Sequence, residues 1–276
     1  MNDNPEIGKF ILAAGRKTNY HDHGCGRSVL LIHGSGPGVS AWANWRTVLP
    51  ALSEELRIIA PDMAGFGFTE RRTGEQYNLD LWVEHVGGLL DALDLTKVHV
   101  VGNSFGGALA TALAIRHPDR VDRLVLMGSV GLRFDITPGL DAVWGYEASV
   151  ENMRELIRLF AYDESLASDE LAELRYKASI RPGVQEAYAS MFPAPRQRWV
   201  DAMASPEPDI AELQHETLIL HGRDDRIIPA ECSVRYSRLI KRSDLHIFGQ
   251  CGHWVQIEKA DAFNRIVGAF LLQGLE

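Results

Sequence analysis

The chain has 276 residues, 46% hydrophobic and 24% charged, which fits one large α/β domain with an insertion or two small domains. Its formal net charge of −9 argues against nucleic acid or an anionic membrane as main partner, because both need a basic face, yet it leaves room for an anionic small molecule held by a buried arginine. Three widely spaced cysteines, Cys25, Cys232 and Cys251, read as free thiols with no zinc spacing, so neither a metal nor a cofactor is expected.

The opening MNDNPEIGKF has no basic segment before an apolar run, and no uninterrupted apolar stretch reaches the length of a membrane span. A soluble cytoplasmic protein is expected. Stretches 7–13 and 18–22 read as antiparallel edge strands. Apolar runs at 29–33 (VLLIH), 57–60 (RIIA), 98–101 (VHVV), 124–127 (LVLM), 217–220 (TLIL) and 245–248 (LHIF) have the length of buried strands. Helix-period segments such as 79–93 and 106–117 lie between several of them. That alternation predicts a mostly parallel sheet flanked by helices on both faces.

The alternation lapses after Met127. From about Arg133 to Ser205, helical periods and aromatic residues dominate, among them Trp144, Phe160, Tyr188, Phe192 and Trp199. We read residues 1–132 as the first part of an α/β core, 133–205 as a helical cap inserted between strands, and 206–276 as the rest of the core.

Residues 102–106 read Gly-Asn-Ser-Phe-Gly, a G-x-S-x-G pattern between the strand VHVV and the helix GGALATALAIRH. A sharp strand-to-helix turn strains the serine and crowds the backbone, which is why glycines flank it. The turn leaves the Ser104 hydroxyl exposed at a helix N-terminus, where developing negative charge is favoured. A serine needs a base, and the base needs an acid to orient it. In the α/β-hydrolase fold, which this elbow resembles, the order is Ser, acid, His. Here Asp224 and Asp225 follow TLILHGR, and His253 follows LHIFGQCG. Residue type alone leaves the choice between the two aspartates open. His221 and His246, in or beside strands, read as structural. The oxyanion hole is expected to combine the amide of Phe105 with that of Ser35, in the small-residue loop HGSGPG after the third strand.

The loop HGSGPGVSAWAN, the elbow GNSFGG and the late motif CGHWVQIE together resemble the meta-cleavage product hydrolases, carbon–carbon bond hydrolases of bacterial aromatic degradation, nearest the enzymes for monocyclic alkylbenzene products. The resemblance spans nearly the whole chain. It implies substrates of the 2-hydroxy-6-oxohexa-2,4-dienoate type and Asp225 as the acid. It implies Asn44 and Asn103 beside the site, Arg175 on the substrate carboxylate and Trp254 against the dienoate. It also implies a homo-oligomer, a dimer or larger. Val130, Trp144, Val200 and Ile228 are expected to contact the substrate, with the three β-branched residues walling a shallow pocket for the group on C6.

Two rival readings share the same elbow. A carboxylesterase of the same fold would need no arginine aimed at a carboxylate, and a weakly catalytic ligand receptor would not turn over a dienoate rapidly. An aspartate nucleophile, as in dehalogenase and epoxide hydrolase relatives, is argued against by Ser104.

Overall fold

A computed structural model of the chain describes residues 4–273. The outermost residues of the first and last segments, 1–3 and 274–276, lie outside the described residues. Eight strands form one sheet: β1 Lys9–Ala13, β2 Arg16–His23, β3 Ser28–Ile32, β4 Arg57–Pro61, β5 Val98–Asn103, β6 Val121–Met127, β7 Glu216–Gly222 and β8 Ser243–Phe248. Their order is β1-β2-β4-β3-β5-β6-β7-β8. β2 runs antiparallel to both of its neighbours, and every pairing from β4 onward is parallel. The two edge strands predicted near the start thus pair with each other, and β2 carries them onto β4.

The parallel strands are buried on both faces, which explains runs such as VLLI and LVLM in place of alternation. Buried apolar residues form two clusters, one on each face. The helices Leu79–Ala92 and Phe105–Arg116 cover one face, and Ala260–Leu272 covers the other. The first ten residues of helix Phe105–Arg116 are all buried, so its FGGALATALA sequence is a packing requirement: small side chains let it lie close to β5 and β6.

β3 and β5 are neighbours, yet the chain leaves β3 for β4 on the opposite side. This is the switch point of the sheet, where open α/β folds carry their ligands beyond the carboxyl ends of strands. The loop after β3 and the turn after β5 meet there. Above it lies the insertion between β6 and β7, with helices Pro138–Trp144, Val150–Phe160, Asp169–Ser179, Val184–Met191 and Gln197–Met203. Thr137, Ser149 and Ser168 cap the first three through their side chains, a start signal present in the sequence ahead of each. The following helix, Glu207–Ala211, packs on the core helices.

Candidate active site

Ser104 stands at the turn between β5 and helix Phe105–Arg116 with φ 54 and ψ −114, a strained conformation for a residue with a Cβ. Its neighbours account for the glycines. A Cβ on Gly102 would come within 2.4 Å of Gly106 O, and one on Gly106 within 2.2 Å of Ile32 O. The turn is held by Ser104 N donating to Met127 O at 2.8 Å and Val130 N donating to Ser104 O at 3.1 Å. Phe105 opens the helix, where first-turn N–H groups have no intrahelical acceptor.

His253 Nδ1 lies 2.7 Å from Asp225 Oδ2. The other carboxylate oxygen, Oδ1, accepts from the N–H groups of Ile227 at 2.7 Å and Ile228 at 3.0 Å. Burial works against the charge of Asp225. The neighbouring His253 and hydrogen bonds from His221 and His253 outweigh it and hold the carboxyl well below its ordinary value. Asp224 points elsewhere, its Oδ2 accepting from Cys251 N at 3.3 Å. His221 touches Asp225 as well, with Nε2 3.2 Å from Oδ2, 3.0 Å from Ile228 O, and its Nδ1 2.6 Å from Ser233 Oγ. The sequence reading missed this contact. Its only signal is the i, i+4 spacing at the end of TLILH.

The loop after β3 is shaped by His33, whose burial keeps it neutral. Its Nε2 accepts from Met63 N at 3.0 Å, so Nδ1 carries the proton that reaches Gly34 O at 2.7 Å. Asn44 Oδ1 accepts from Gly34 N at 3.3 Å and from Asn103 Nδ2 at 2.9 Å. This joins the loop to the elbow. Asn44 Nδ2 and Asn103 Oδ1 are buried without a partner, a free donor and a free acceptor. Gln256, also buried, donates from Nε2 to Asn44 O at 3.3 Å and leaves Oε1 unpaired.

One cavity of about 770 Å³, counting its solvent-facing mouth, collects these groups. Ser35, Asn44, Asn103, Ser104, Arg175, His253 and Trp254 all line it. Arg46 and Gln256, which the sequence reading passed over, line it too. Arg175 Nη2 donates to Gly38 O at 2.7 Å, and Nη1 stands 3.5 Å from Glu6 Oε1. Burial lowers its pKa, and the Glu6 carboxylate counters that.

The apolar wall differs from the predicted one. It includes Leu140, Val143, Met153, Ile157, Phe160, Leu171 and Ile227. Val130, Trp144, Val200 and Ile228 are not on it; all four are buried in the core cluster behind. The Val130 main chain is committed to Ser104 on one side and to the Tyr236 hydroxyl, 3.2 Å from its carbonyl, on the other. In the pairs Val143/Trp144 and Ile227/Ile228 the neighbouring residue takes the wall position.

The insertion grips this site. Phe160 O accepts from His253 N at 2.7 Å, and the Phe160 ring stacks on Trp254 with centroids 4.9 Å apart. A Cβ on Gly38 would come within 2.5 Å of Ser179 N, so the loop packs directly on helix Asp169–Ser179. No group of metal-ligating side chains and no helix long and apolar enough to cross a membrane occurs among the described residues.

A strained serine after a parallel strand, at the switch point, under a helical insertion, defines a hydrolase architecture. The chain belongs to the α/β-hydrolase fold family, whose sequence model matches residues 27–260. Within that family it sits among the meta-cleavage product hydrolases. It is 66% identical to a 2-hydroxy-6-oxo-2,4-heptadienoate hydrolase of Pseudomonas putida, over 98% of this chain and 98% of that one. It is 60% identical to a 2-hydroxymuconate semialdehyde hydrolase of a Pseudomonas species, over 98% and 96%. The structure of the meta-cleavage product hydrolase CumD of Pseudomonas fluorescens, a serine-to-alanine variant complexed with acetates, superposes with a TM-score of 0.96 at 61% identity, covering 97% of this chain and 98% of that one.

Proposed function

We propose that this enzyme splits the C5–C6 bond of alkyl-substituted 2-hydroxy-6-oxo-2,4-dienoates, giving 2-hydroxypenta-2,4-dienoate and a carboxylic acid. One observation carries the reading: Ser104 and His253 share a single cavity with Arg175, Asn44 and Asn103. A simple ester offers nothing for a desolvated arginine to hold, whereas a dienoate has a carboxylate at the right end of an elongated molecule. The names of the relatives favour the same substrate class.

In this reading Arg175 holds the carboxylate, aided by the free Asn44 Nδ2 donor, and Trp254 packs along the diene. His253 carries the proton of the 2-hydroxyl to C5, producing the 2-oxo tautomer. Ser104 Oγ then adds to C6 and gives its proton to His253, whose imidazolium is steadied by Asp225. The C6 oxyanion is received by the N–H groups of Ser35 and Phe105. The C5–C6 bond breaks, and its electron pair passes through C3–C4 to the 2-oxygen, which recovers a proton from the imidazolium. Water activated by His253 hydrolyses the acyl-enzyme, and Ser104 regains its proton. The carbanion is a viable leaving group only because the 2-oxo sink lies beside Arg175 and the amide groups. The same reading gives a cytoplasmic catabolic enzyme of at least two chains.

The test is to mix the protein with ring-cleavage products of several catechols, follow loss of their visible absorbance, and identify the acid released. Loss at multiple turnovers, absent in Ser104→Ala, is the expected result. Rapid turnover of simple esters with no effect on any dienoate would overturn the assignment.

A further inference from the structure

The loop that carries Ser35 contains three glycines in six residues, HGSGPG, and such a backbone does not hold one conformation by itself. An oxyanion hole requires its donors fixed before charge develops. External contacts fix this loop. Asn44 of the core accepts from Gly34 N, Arg175 of the insertion donates to Gly38 O, and between them the indole N–H of Trp144 donates to Ser35 Oγ at 3.0 Å. The last contact is buried on both sides, with Trp144 3% and Ser35 5% exposed. A buried indole N–H needs an acceptor, and here the acceptor is the side chain of the residue between two glycines.

Trp144 is itself held by an aromatic run that ends at the other donor. Its ring stacks on Phe192 with centroids 4.3 Å apart and planes 10° apart. Phe192 lies 6.2 Å from Trp82, which is anchored by its own indole N–H on Ala64 O at 3.0 Å. Trp82 meets Phe105 edge to face at 4.6 Å and 89°. Trp144 and Phe192 belong to the insertion, Trp82 and Phe105 to the core. This run of contacts joins the ring that donates to Ser35 to the ring of Phe105.

We propose that Trp144 is a positioning residue of the oxyanion hole, acting through its hydrogen bond to Ser35 Oγ and not as a wall of the substrate pocket. This rests on the reading of Ser35 and Phe105 as the oxyanion donors. Trp144→Phe keeps a ring against Phe192 and removes the donor. It is expected to lower kcat about tenfold, the worth of one hydrogen bond that orders a reactive group, with KM changed less than twofold. Binding of an alkyl boronic acid, which presents a tetrahedral oxyanion on Ser104, should weaken by a similar factor. Ser35→Ala should lose a comparable factor, and the double variant should be no worse than the poorer single one, because each change removes the same contact. Additive losses, or wild-type kcat in folded Trp144→Phe, would overturn the proposal. Full activity in Ser35→Ala would do so even where Trp144→Phe fails to fold. Each measurement is made on a dienoate and on p-nitrophenyl acetate, since both pass through an oxyanion. Loss on the ester alone, with no dienoate turnover by wild type, would uphold the positioning role and discard the proposed substrate. Wild-type rates on both substrates in Trp144→Phe would do the reverse.

Discussion

Asp225 places one carboxylate oxygen 2.7 Å from His253 Nδ1 and 3.2 Å from His221 Nε2, so a single atom faces two imidazoles. The first contact orients a ring that lines the cavity with Ser104. The second belongs to a ring whose other nitrogen is tied to Ser233. An acid held this way stays ionised and cannot rotate. Asp225→Asn should therefore cut kcat by roughly 10³ or more, because the amide presents the wrong partner to Nδ1. Asp224→Asn, which disturbs a contact to Cys251 N and a loose pairing with Arg223, should cost less than about tenfold. His221→Ala should fall between them. Steady-state kinetics on a dienoate rank the three, and a larger loss in Asp224→Asn would reverse the acid assignment.

Arg175 gives a second prediction. Its guanidinium is engaged by Gly38 O and faced by Glu6, and the residue lines the cavity. A charge-assisted pair with a substrate carboxylate in such a site is worth about 1.5–3 kcal/mol. Arg175→Gln should lower kcat/KM for a dienoate roughly 10- to 100-fold, by the same figure. It should lower the rate on p-nitrophenyl acetate far less, since that substrate has no carboxylate and feels only the lost clamp on Gly38 O. Equal loss on both substrates would mean that the arginine serves the fold, by clamping the loop at Gly38.

The elbow is legible in the sequence because its requirement is local: strand, glycine, serine, glycine, helix. The sheet is legible for the same reason, since strands buried on both faces must be continuous apolar runs. Choosing Asp225 over Asp224 takes more than residue type, because two adjacent carboxylates in a turn differ only in the direction of their side chains. The apolar wall defeats the sequence at the same scale. Val143 and Trp144, or Ile227 and Ile228, are equally hydrophobic, and tertiary packing alone decides which of each pair meets the cavity. Glu6 has no local signal at all. It reaches Arg175 only because the antiparallel strands β1 and β2 bring the N-terminal segment beside the insertion.

Acid stability offers a third prediction. His85 is buried with Nδ1 accepting from Ala64 N at 3.2 Å and Nε2 2.7 Å from Thr18 Oγ1, an arrangement for the neutral ring. Burial pushes its pKa down to about 3, and nearby Arg16 adds to this. An unfolded histidine takes up its proton near pH ~6.5. Between those values the unfolded state binds more protons than the folded one, so stability falls as pH falls. One such histidine contributes a slope of roughly 1.4 kcal/mol per pH unit. His99, lowered to about 4 chiefly by burial, adds in the same direction. Asp225, depressed in the fold, loses its contribution as pH falls through and below the ordinary carboxylate range, so it adds to the decline only at the acid end. Urea unfolding at pH 7, 6, 5 and 4 should show the decline, and His85→Gln should flatten it by about one proton. An unchanged slope in that variant would remove His85 as a source.

The group on C6 of the substrate must fit between the nucleophile and the apolar wall, and the wall nearest the acid is Ile227. Its N–H is bonded to Asp225 Oδ1, and its side chain lines the cavity two residues along the chain from Asp225. Thr137 Oγ donates to Ile227 O at 2.7 Å, and a Cβ on Gly139 would come within 2.1 Å of Arg226 O. The helix carrying Leu140 and Val143 is thereby pressed against this loop and cannot retreat. The β-branched Val143 and Ile227 are among the side chains that line this space, and they have few rotamers to offer. We expect a methyl or small alkyl group to fit against them and a phenyl ring to overpack the pocket, at a cost of typically 1–3 kcal/mol. Ile227→Ala should shift kcat/KM toward isopropyl and phenyl dienoates by roughly tenfold relative to the methyl one, about the worth of one or two methylenes in an apolar pocket. Val143→Ala should act in the same direction. Val130→Ala opens a hole in the core behind the site and should lower the melting temperature while leaving the order of preference unchanged. The comparison of C6-methyl, isopropyl and phenyl substrates across wild type and the three variants decides the matter. A shift caused by Val130→Ala but not by Ile227→Ala would put the wall on the strand after all, and a wild type that favours phenyl would end the case for monocyclic substrates.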